Sequence, residues 1–161
     1  MIKFVPMNDS DFAAFLRKSI PEYAYDQMHA GNWAANEAVG RARAEFQQML
    51  PQGPQTPNAY LRTILDKRDQ KIGMLWYFVD VNRSRKTAFL IDFFLFPEAR
   101  RKGYEAQAFE LFEMEARGLG VERVELQIFT HKDEELVLYR ENGYQEVSIF
   151  FAKDLNLPEN K

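Results

Sequence analysis

Three consecutive cations stand between an apolar run and a helical pattern, and their spacing favours anion binding. Arg100, Arg101 and Lys102 precede Gly103 and follow the apolar run over 88–96. The first N–H groups of a helix have no intrahelical partner, and the helix dipole adds positive charge there. A phosphate or pyrophosphate would supply the missing negative partner, and Gly103 would let it approach the backbone closely. The alternative is a solvated basic turn.

The segment PEARRKGYEA resembles the acyl-CoA pyrophosphate loop of the GNAT superfamily of N-acyltransferases. The family signature is Arg or Gln, two residues, Gly, one residue, then Gly or Ala. Arg100 and Gly103 match it, whereas Glu105 stands where the family has a small residue. With the segments that follow, the resemblance covers about residues 60 to 155.

A second part of the resemblance lies downstream. VERVELQIF at 121–129 resembles the next family strand. In LYRENGY, Tyr139 fills the position of the family's tyrosine, and Gly143 and Tyr144 fill those of the glycine and the aromatic residue after it. Lys132 replaces the asparagine that the family usually has seven residues before the tyrosine.

The resemblance implies acetyl-CoA as a co-substrate and no metal. In the family, two central strands splay apart, pantetheine pairs with the exposed backbone, and backbone N–H groups wrap the pyrophosphate. The implied pantetheine residues are Phe93, Phe94 and Leu95. The implied phosphate residues are the signature Arg100, then Arg101, Lys102, Gly103, Tyr104, Glu105 and Ala106, with Lys132 as a further point charge.

Glu105 is the main departure from the family pattern. At the helix N-terminus its carboxylate would satisfy the dipole and repel a pyrophosphate. If it points to solvent or pairs with Arg101, the site stays open. We expect Glu105 to point to solvent or to pair with Arg101.

The implied reaction is direct transfer of an acetyl group to a primary amine of a small molecule, a peptide or a protein. The amine must lose a proton, the tetrahedral intermediate needs a hydrogen-bond donor, and the thiolate needs a proton. The resemblance makes Tyr139 the general acid, with a packing tyrosine as the alternative. Asp92 is the candidate base, because burial in an apolar strand would raise its pKa. Glu125, a relayed water, or a purely structural Asp92 are the alternatives.

Composition limits the classes of function. The chain has 161 residues, 46% of them hydrophobic, which predicts one domain over 1–161 with a single core. A net charge of −3 argues against a general binder of nucleic acid or of anionic membranes. With no cysteine and only His29 and His131, metal and thiolate sites are not expected.

The sequence shows no targeting segment and no apolar run near the roughly 20 residues of a membrane-spanning helix. We therefore expect a soluble cytoplasmic enzyme, an acyl-CoA-dependent N-acyltransferase. Its partner would be a small-molecule or peptide amine, and a homodimer is left open. The second class of function is a non-catalytic acyl-CoA-binding or interaction module on the same fold.

The elements that must position these residues form an α+β fold. We predict a GNAT-like mixed sheet of six or seven strands, with an antiparallel N-terminal meander, a parallel β-α-β crossover, and helices on both faces. Strands are predicted at 2–6, 59–66, 71–81, 88–96, 122–129 and 144–155. The first helix is predicted to begin at a cap formed by Asn8, Asp9 or Ser10, and Pro21 either breaks it or begins another helix. Further helices are predicted over 34–50, from 104 onward, and over 133–142.

Two further features are interpreted locally. The basic segment NRSRK at 82–86 is predicted to be a solvated hairpin tip. Trp33 either walls an acceptor pocket or packs in the core.

Overall fold

The computed structural model describes residues 1–156, which fall into two compact units divided after Phe129; each is described by itself. The first unit contains β1 (Lys3–Pro6), α1 (Asp9–His29), α2 (Ala38–Met49), β2 (Ala59–Leu65), β3 (Lys71–Asp80), β4 (Thr87–Leu95), α3 (Tyr104–Gly118) and β5 (Arg123–Glu125). The second unit contains α4 (Asp133–Glu141). The single domain expected over 1–161 stays a prediction.

The sheet has the order β1-β2-β3-β4-β5. The pairs from β1 to β4 are antiparallel, and β4 pairs with β5 in parallel. Because α3 connects the two parallel strands, this part is a crossover unit. The predicted mixed sheet, an antiparallel meander followed by a parallel crossover, is confirmed.

Helices cover both faces of the sheet, as predicted. Phe15 of α1 and Phe46 of α2 contact Trp76 of β3 on one face. Phe112 of α3 contacts Tyr77 on the other face. Full burial of an aromatic side chain such as these contributes about 1.5–3 kcal/mol, so the strand β3 holds the two helical layers together.

Helix α1 begins at its cap and continues through a proline. The Asn8 side chain accepts a hydrogen bond from the Asp11 backbone N–H at 2.7 Å. Pro21 was expected to break the helix or start another, but it lies inside α1, because burial of Ile20 and Ala24 around it outweighs the lost hydrogen bond. No helix within residues 1–156 is long and apolar enough to cross a membrane.

The number of strands differs from the prediction. The sheet described has five strands, not six or seven, and β5 is shorter than the predicted 122–129. The predicted last strand over 144–155 has no partner strand inside its own unit. A strand exists through its pairing with a neighbour, so within the second unit alone residues 144–155 do not form one.

The loop between β3 and β4 is an exposed hairpin tip, as expected, but two of its cations have partners in the structure. Arg83 of this loop donates to the Glu125 carboxylate at 2.8 Å, and its guanidinium lies 4.8 Å from the centroid of the Phe89 ring. Lys86 donates to the carbonyl of Leu119 at 2.5 Å. The loop therefore ties the start of β4 to β5 and to the end of α3.

Candidate active site

A β-bulge in β4 determines the direction in which Asp92 points. Trp76 pairs with Asp92 and Tyr77 pairs with Leu90, so Ile91 is an extra residue in β4. Trp76 packs against α1 and Tyr77 against α3. Because residues opposite each other in a ladder share a face, Asp92 lies on the α1 face and Leu90 on the α3 face. In a regular strand the two residues would share one face.

Asp92 receives a hydrogen bond from α1. The Ser19 hydroxyl donates to Asp92 Oδ2 at 2.7 Å, and Ser19 is only 2% exposed. A buried hydroxyl on a packed helix can hold the carboxylate in one orientation and favours its charged form. Sequence reasoning missed Ser19, because the two residues are 73 positions apart and no spacing rule joins them.

Beyond its first three residues, β4 has an open edge within the first unit. The parallel pairing with β5 covers only Thr87 to Phe89, although β4 continues to Leu95. The side chains of Phe93 and Phe94 are used in packing, against α3 and α1 respectively. Backbone N–H and C=O groups at an unpaired strand edge can pair with the amides of a ligand.

The basic turn over residues 100–103 is fixed to the end of β4. Arg100 Nε donates to the carbonyl of Leu95 at 3.0 Å. Gly103 caps α3 in the left-handed region with φ of 79°, and Arg101 has φ of 61°. The side chains of Arg101 and Lys102 are exposed and have no hydrogen-bond or ion-pair partner within residues 1–156. Within the described part of the chain, two cations at the N-terminus of this helix therefore have no counterion.

The first turn of α3 carries the residue that departs from the family pattern. Glu105 Oε1 accepts a hydrogen bond from the backbone N–H of Arg101 at 3.3 Å. We expected the carboxylate to point to solvent or to pair with Arg101; the contact is with Arg101, but with its N–H group instead of its guanidinium. Glu105 therefore occupies one of the N–H groups implied for a pyrophosphate. Its neighbours Tyr104 and Ala106 are half-buried and exposed, respectively.

The second unit contains the candidate acid. Tyr139 lies in α4 and its ring packs edge-on against Tyr144, with centroids 5.7 Å apart. Lys132 immediately precedes α4, and its Nζ lies 3.5 Å from Glu135 Oε1. An ion pair of this kind would compete with a phosphate for the Lys132 charge, although a single exposed ion pair contributes little to stability.

The other candidate residues are held by structural contacts. Glu125 accepts from Arg83 at 2.8 Å and from Arg123 at 3.2 Å, so two guanidinium groups hold this carboxylate. Trp33 is 9% exposed and packs edge-on against Tyr23, so it is a packing residue. Among residues 1–156, no three His, Cys, Asp or Glu side chains are grouped so as to hold a metal ion.

Comparison with known proteins gives consistent matches. The model of the acetyltransferase (GNAT) family matches residues 21–144. The uncharacterized N-acetyltransferase YycN of Bacillus subtilis is 29% identical over 154 residues, covering 96% of this chain and 99% of YycN. The uncharacterized N-acetyltransferase YdgE of the same bacterium is 30% identical over 149 residues, covering 92% of this chain and 95% of YdgE.

Solved structures show the same fold. The crystal structure of YycN superposes with a TM-score of 0.91, covering 96% of this chain and 99% of YycN. The aminoglycoside 6'-N-acetyltransferase AAC(6')-Ih from Acinetobacter baumannii superposes with a TM-score of 0.61 at 18% identity, covering 97% of this chain and 100% of its own. At that identity the likeness concerns the fold alone.

Proposed function

This chain belongs to the acetyltransferase (GNAT) family, and from that premise we propose that it transfers the acetyl group of acetyl-CoA to a primary amine of a small molecule or a peptide. Members of the family use acetyl-CoA in general. One observation carries the proposal for this chain: within the first unit, the open edge of β4 leads directly into a turn at the N-terminus of α3, where two cations have no partner among residues 1–156.

The strand edge that would bind pantetheine is followed directly along the chain by the turn that would bind the pyrophosphate. The edge at Phe93, Phe94 and Leu95 would pair with the pantetheine amides, because its side chains are already used in packing. The N–H groups of the turn and the side chains of Arg101 and Lys102 would bind the pyrophosphate. The left-handed Gly103 leaves open space where a Cβ would stand, since no described residue other than its two chain neighbours comes within 4 Å of that position.

The bound thioester supplies an activated carbonyl carbon, and the protein has to manage two protons. Asp92, oriented by Ser19, would accept the proton that the attacking amine loses as the C–N bond forms. Tyr139 would donate its phenolic proton to the thiolate as the C–S bond breaks. The two roles leave the enzyme in the opposite protonation states, which exchange with water restores.

The test is a screen of amine acceptors with acetyl-CoA in which release of free thiol is followed, alongside calorimetric titration with CoA. We expect CoA to bind one per chain and at least one class of amine to release thiol in proportion to its own consumption. Absence of CoA binding would refute the proposal at its first step, before any question about the acceptor.

One observation favours a second candidate, a non-catalytic acyl-CoA-binding module. Glu105 already occupies the Arg101 N–H, and its negative charge lies in the turn that would receive a pyrophosphate. CoA binding without turnover on any acceptor would support this candidate. Thiol release that depends on the amine would exclude it.

A further inference from the structure

A groove between α1 and α2 shares no residue with the candidate active site. Its free volume is about 630 Å³, within the range of roughly 300–1,000 Å³ for small-molecule sites. Apolar side chains of both helices form its wall: Phe12, Leu16, Ile20, Val39, Phe46 and Leu50. Val39 is 44% exposed there, so the apolar wall is open to a ligand.

Two arginines also line this groove. Arg17 and Arg43 are exposed, and neither has a hydrogen-bond or ion-pair partner within residues 1–156. The residues one helical turn further, Pro21 and Gln47, are neutral and line the same groove. As far as the chain is described, the two arginines that line this apolar groove therefore have no counterion, although the net charge of the chain is −3.

The neighbouring cations on the same helices are paired. Lys18 binds Glu22 at 2.8 Å, and Arg41 binds Glu37 at 3.2 Å, each across one helical turn. Lys18 and Arg41 therefore have carboxylate partners, whereas Arg17 and Arg43, which line the groove, have none among residues 1–156. The groove therefore combines an apolar wall with two arginines, which could bind an anion.

We propose that this groove binds a straight-chain fatty acid, with its carboxylate held by Arg17 and Arg43 and its chain along the apolar wall. A guanidinium matches a carboxylate in a bidentate geometry, and burial of the methylene groups drives the chain into the groove. A helix of another protein would need a broader surface, roughly 800 Å² per partner.

The test is a calorimetric titration of the full chain with sodium dodecanoate below its micelle concentration. We expect one dodecanoate per chain, with weaker binding of octanoate, whose chain is shorter, and of dodecanol, which lacks the charge. Arg17→Gln and Arg43→Gln should each weaken dodecanoate binding at least 10-fold. Arg68→Gln, which removes the same charge from the exposed turn between β2 and β3, should leave it unchanged.

A blocking variant separates the groove from nonspecific binding. Val39→Trp should fill the groove and abolish dodecanoate binding while the thermal unfolding transition is retained. Equal losses in Arg17→Gln and Arg68→Gln, or many dodecanoates per chain, would overturn the proposal. A dimer in sedimentation that Val39→Trp dissociates would also overturn it, because the groove would then be covered by a second copy. The titration uses no acetyl-CoA and no amine, so its failure leaves the proposed acetyl transfer untouched.

Discussion

At the scale of single residues, Asp92 depends on a partner from another element. Its carboxylate accepts from Ser19, a buried residue of α1, while the strand that carries it is apolar apart from Asp92 and Thr87. The neighbouring Lys18 lies 3.8 Å from the centroid of the Phe94 ring. The candidate base is therefore positioned by the helix that covers this face of the sheet.

Replacement of Ser19 tests this positioning. We expect Ser19→Ala to lower kcat about 10-fold and to move the acid limb of the pH profile of kcat/KM to higher pH, because the hydroxyl no longer stabilises the charged carboxylate. Ser19→Thr, which keeps the hydroxyl, should restore the parent profile. Ser10→Ala, an exposed serine in the first turn of α1, is the control. An unmoved pH profile in Ser19→Ala would mean that the contact is only structural.

Removal of the Tyr139 hydroxyl tests the candidate acid. Tyr139→Phe should lower kcat about 10²-fold and leave the affinity for acetyl-CoA nearly unchanged, because only the proton donor is lost. Tyr144→Phe alters the other ring of the edge-on pair and should keep kcat within about 2-fold of the parent. If Tyr139→Phe lowers the melting temperature but not the turnover per folded molecule, Tyr139 belongs to the packing.

Two substitutions at Glu105 separate its charge from its hydrogen bond. Glu105→Gln keeps an acceptor for the Arg101 N–H and removes the negative charge. We expect it to bind CoA more tightly than the parent, with a gain that shrinks as salt rises. Glu105→Ala also removes the acceptor and should gain less, because the turn loses its tie. Calorimetric titration with CoA at low and high salt measures the affinity of both variants. Weaker CoA binding by Glu105→Gln would contradict the proposed repulsion between the Glu105 carboxylate and the pyrophosphate.

At the scale of elements, the end of β4, the turn and the start of α3 act as one structure. Arg100 fixes the turn to the Leu95 carbonyl, and Gly103 begins the helix in a left-handed conformation that few other residues adopt. Close approach also fixes β4 to β3, since a Cβ at Gly73 would lie 2.3 Å from the Phe94 carbonyl oxygen. The backbone of this region is therefore held by contacts within the chain, without a ligand.

The charge of this turn can be removed without disturbing that backbone. Replacing Arg101 and Lys102 together by Ala should weaken CoA binding by about 1–3 kcal/mol with little change in the free energy of unfolding. The matched control replaces Lys67 and Arg68, two exposed cations in the turn between β2 and β3. Equal CoA affinity in both double variants at low salt would show that the turn over residues 100–103 is only a solvated basic loop.

At the scale of the whole molecule, hydroxyl-carboxylate pairs join helices to their neighbours. Tyr23 of α1 donates to Glu45 of α2 at 2.6 Å, and Tyr77 of β3 donates to Glu115 of α3 at 2.6 Å. Burial, followed by the bond to Glu45, raises the pKa of Tyr23 to about 12. Burial and the bond to Glu115 raise the pKa of Tyr77 as well.

These pairs predict a loss of stability in alkali. As pH rises above about 10, the reference pKa of tyrosine, the unfolded chain releases these protons while the folded chain keeps them. The free energy of unfolding should therefore fall between about pH 10 and pH 12, as urea titrations at several pH values would measure. Tyr23→Phe should flatten this dependence, whereas Tyr25→Phe, at a residue 59% exposed on the same helix, should not. An equal slope in both variants would contradict the assignment.

The sequence by itself determined the elements whose signals are local. Apolar periodicity, Gly103 and the cap at Asn8 fix strands and helices because they act within a few residues. The basic turn at the start of α3 was recognisable for the same reason. The order of the strand and helix segments along the chain then predicted the mixed sheet with helices on both faces. The prediction that Pro21 breaks the helix or begins another was wrong, because core packing around α1 overrides this local helix-breaking signal.

The tertiary structure alone decided which side chains meet. The alternation of Leu90 and Asp92 in the sequence indicates one shared face, and only the pairing with β3 shows the extra Ile91 that turns Asp92 toward α1. The bond from Ser19 and the contact of Glu125 with Arg83 likewise join residues far apart in the chain. Such contacts depend on strand register and on the docking of helices, which local spacing does not encode.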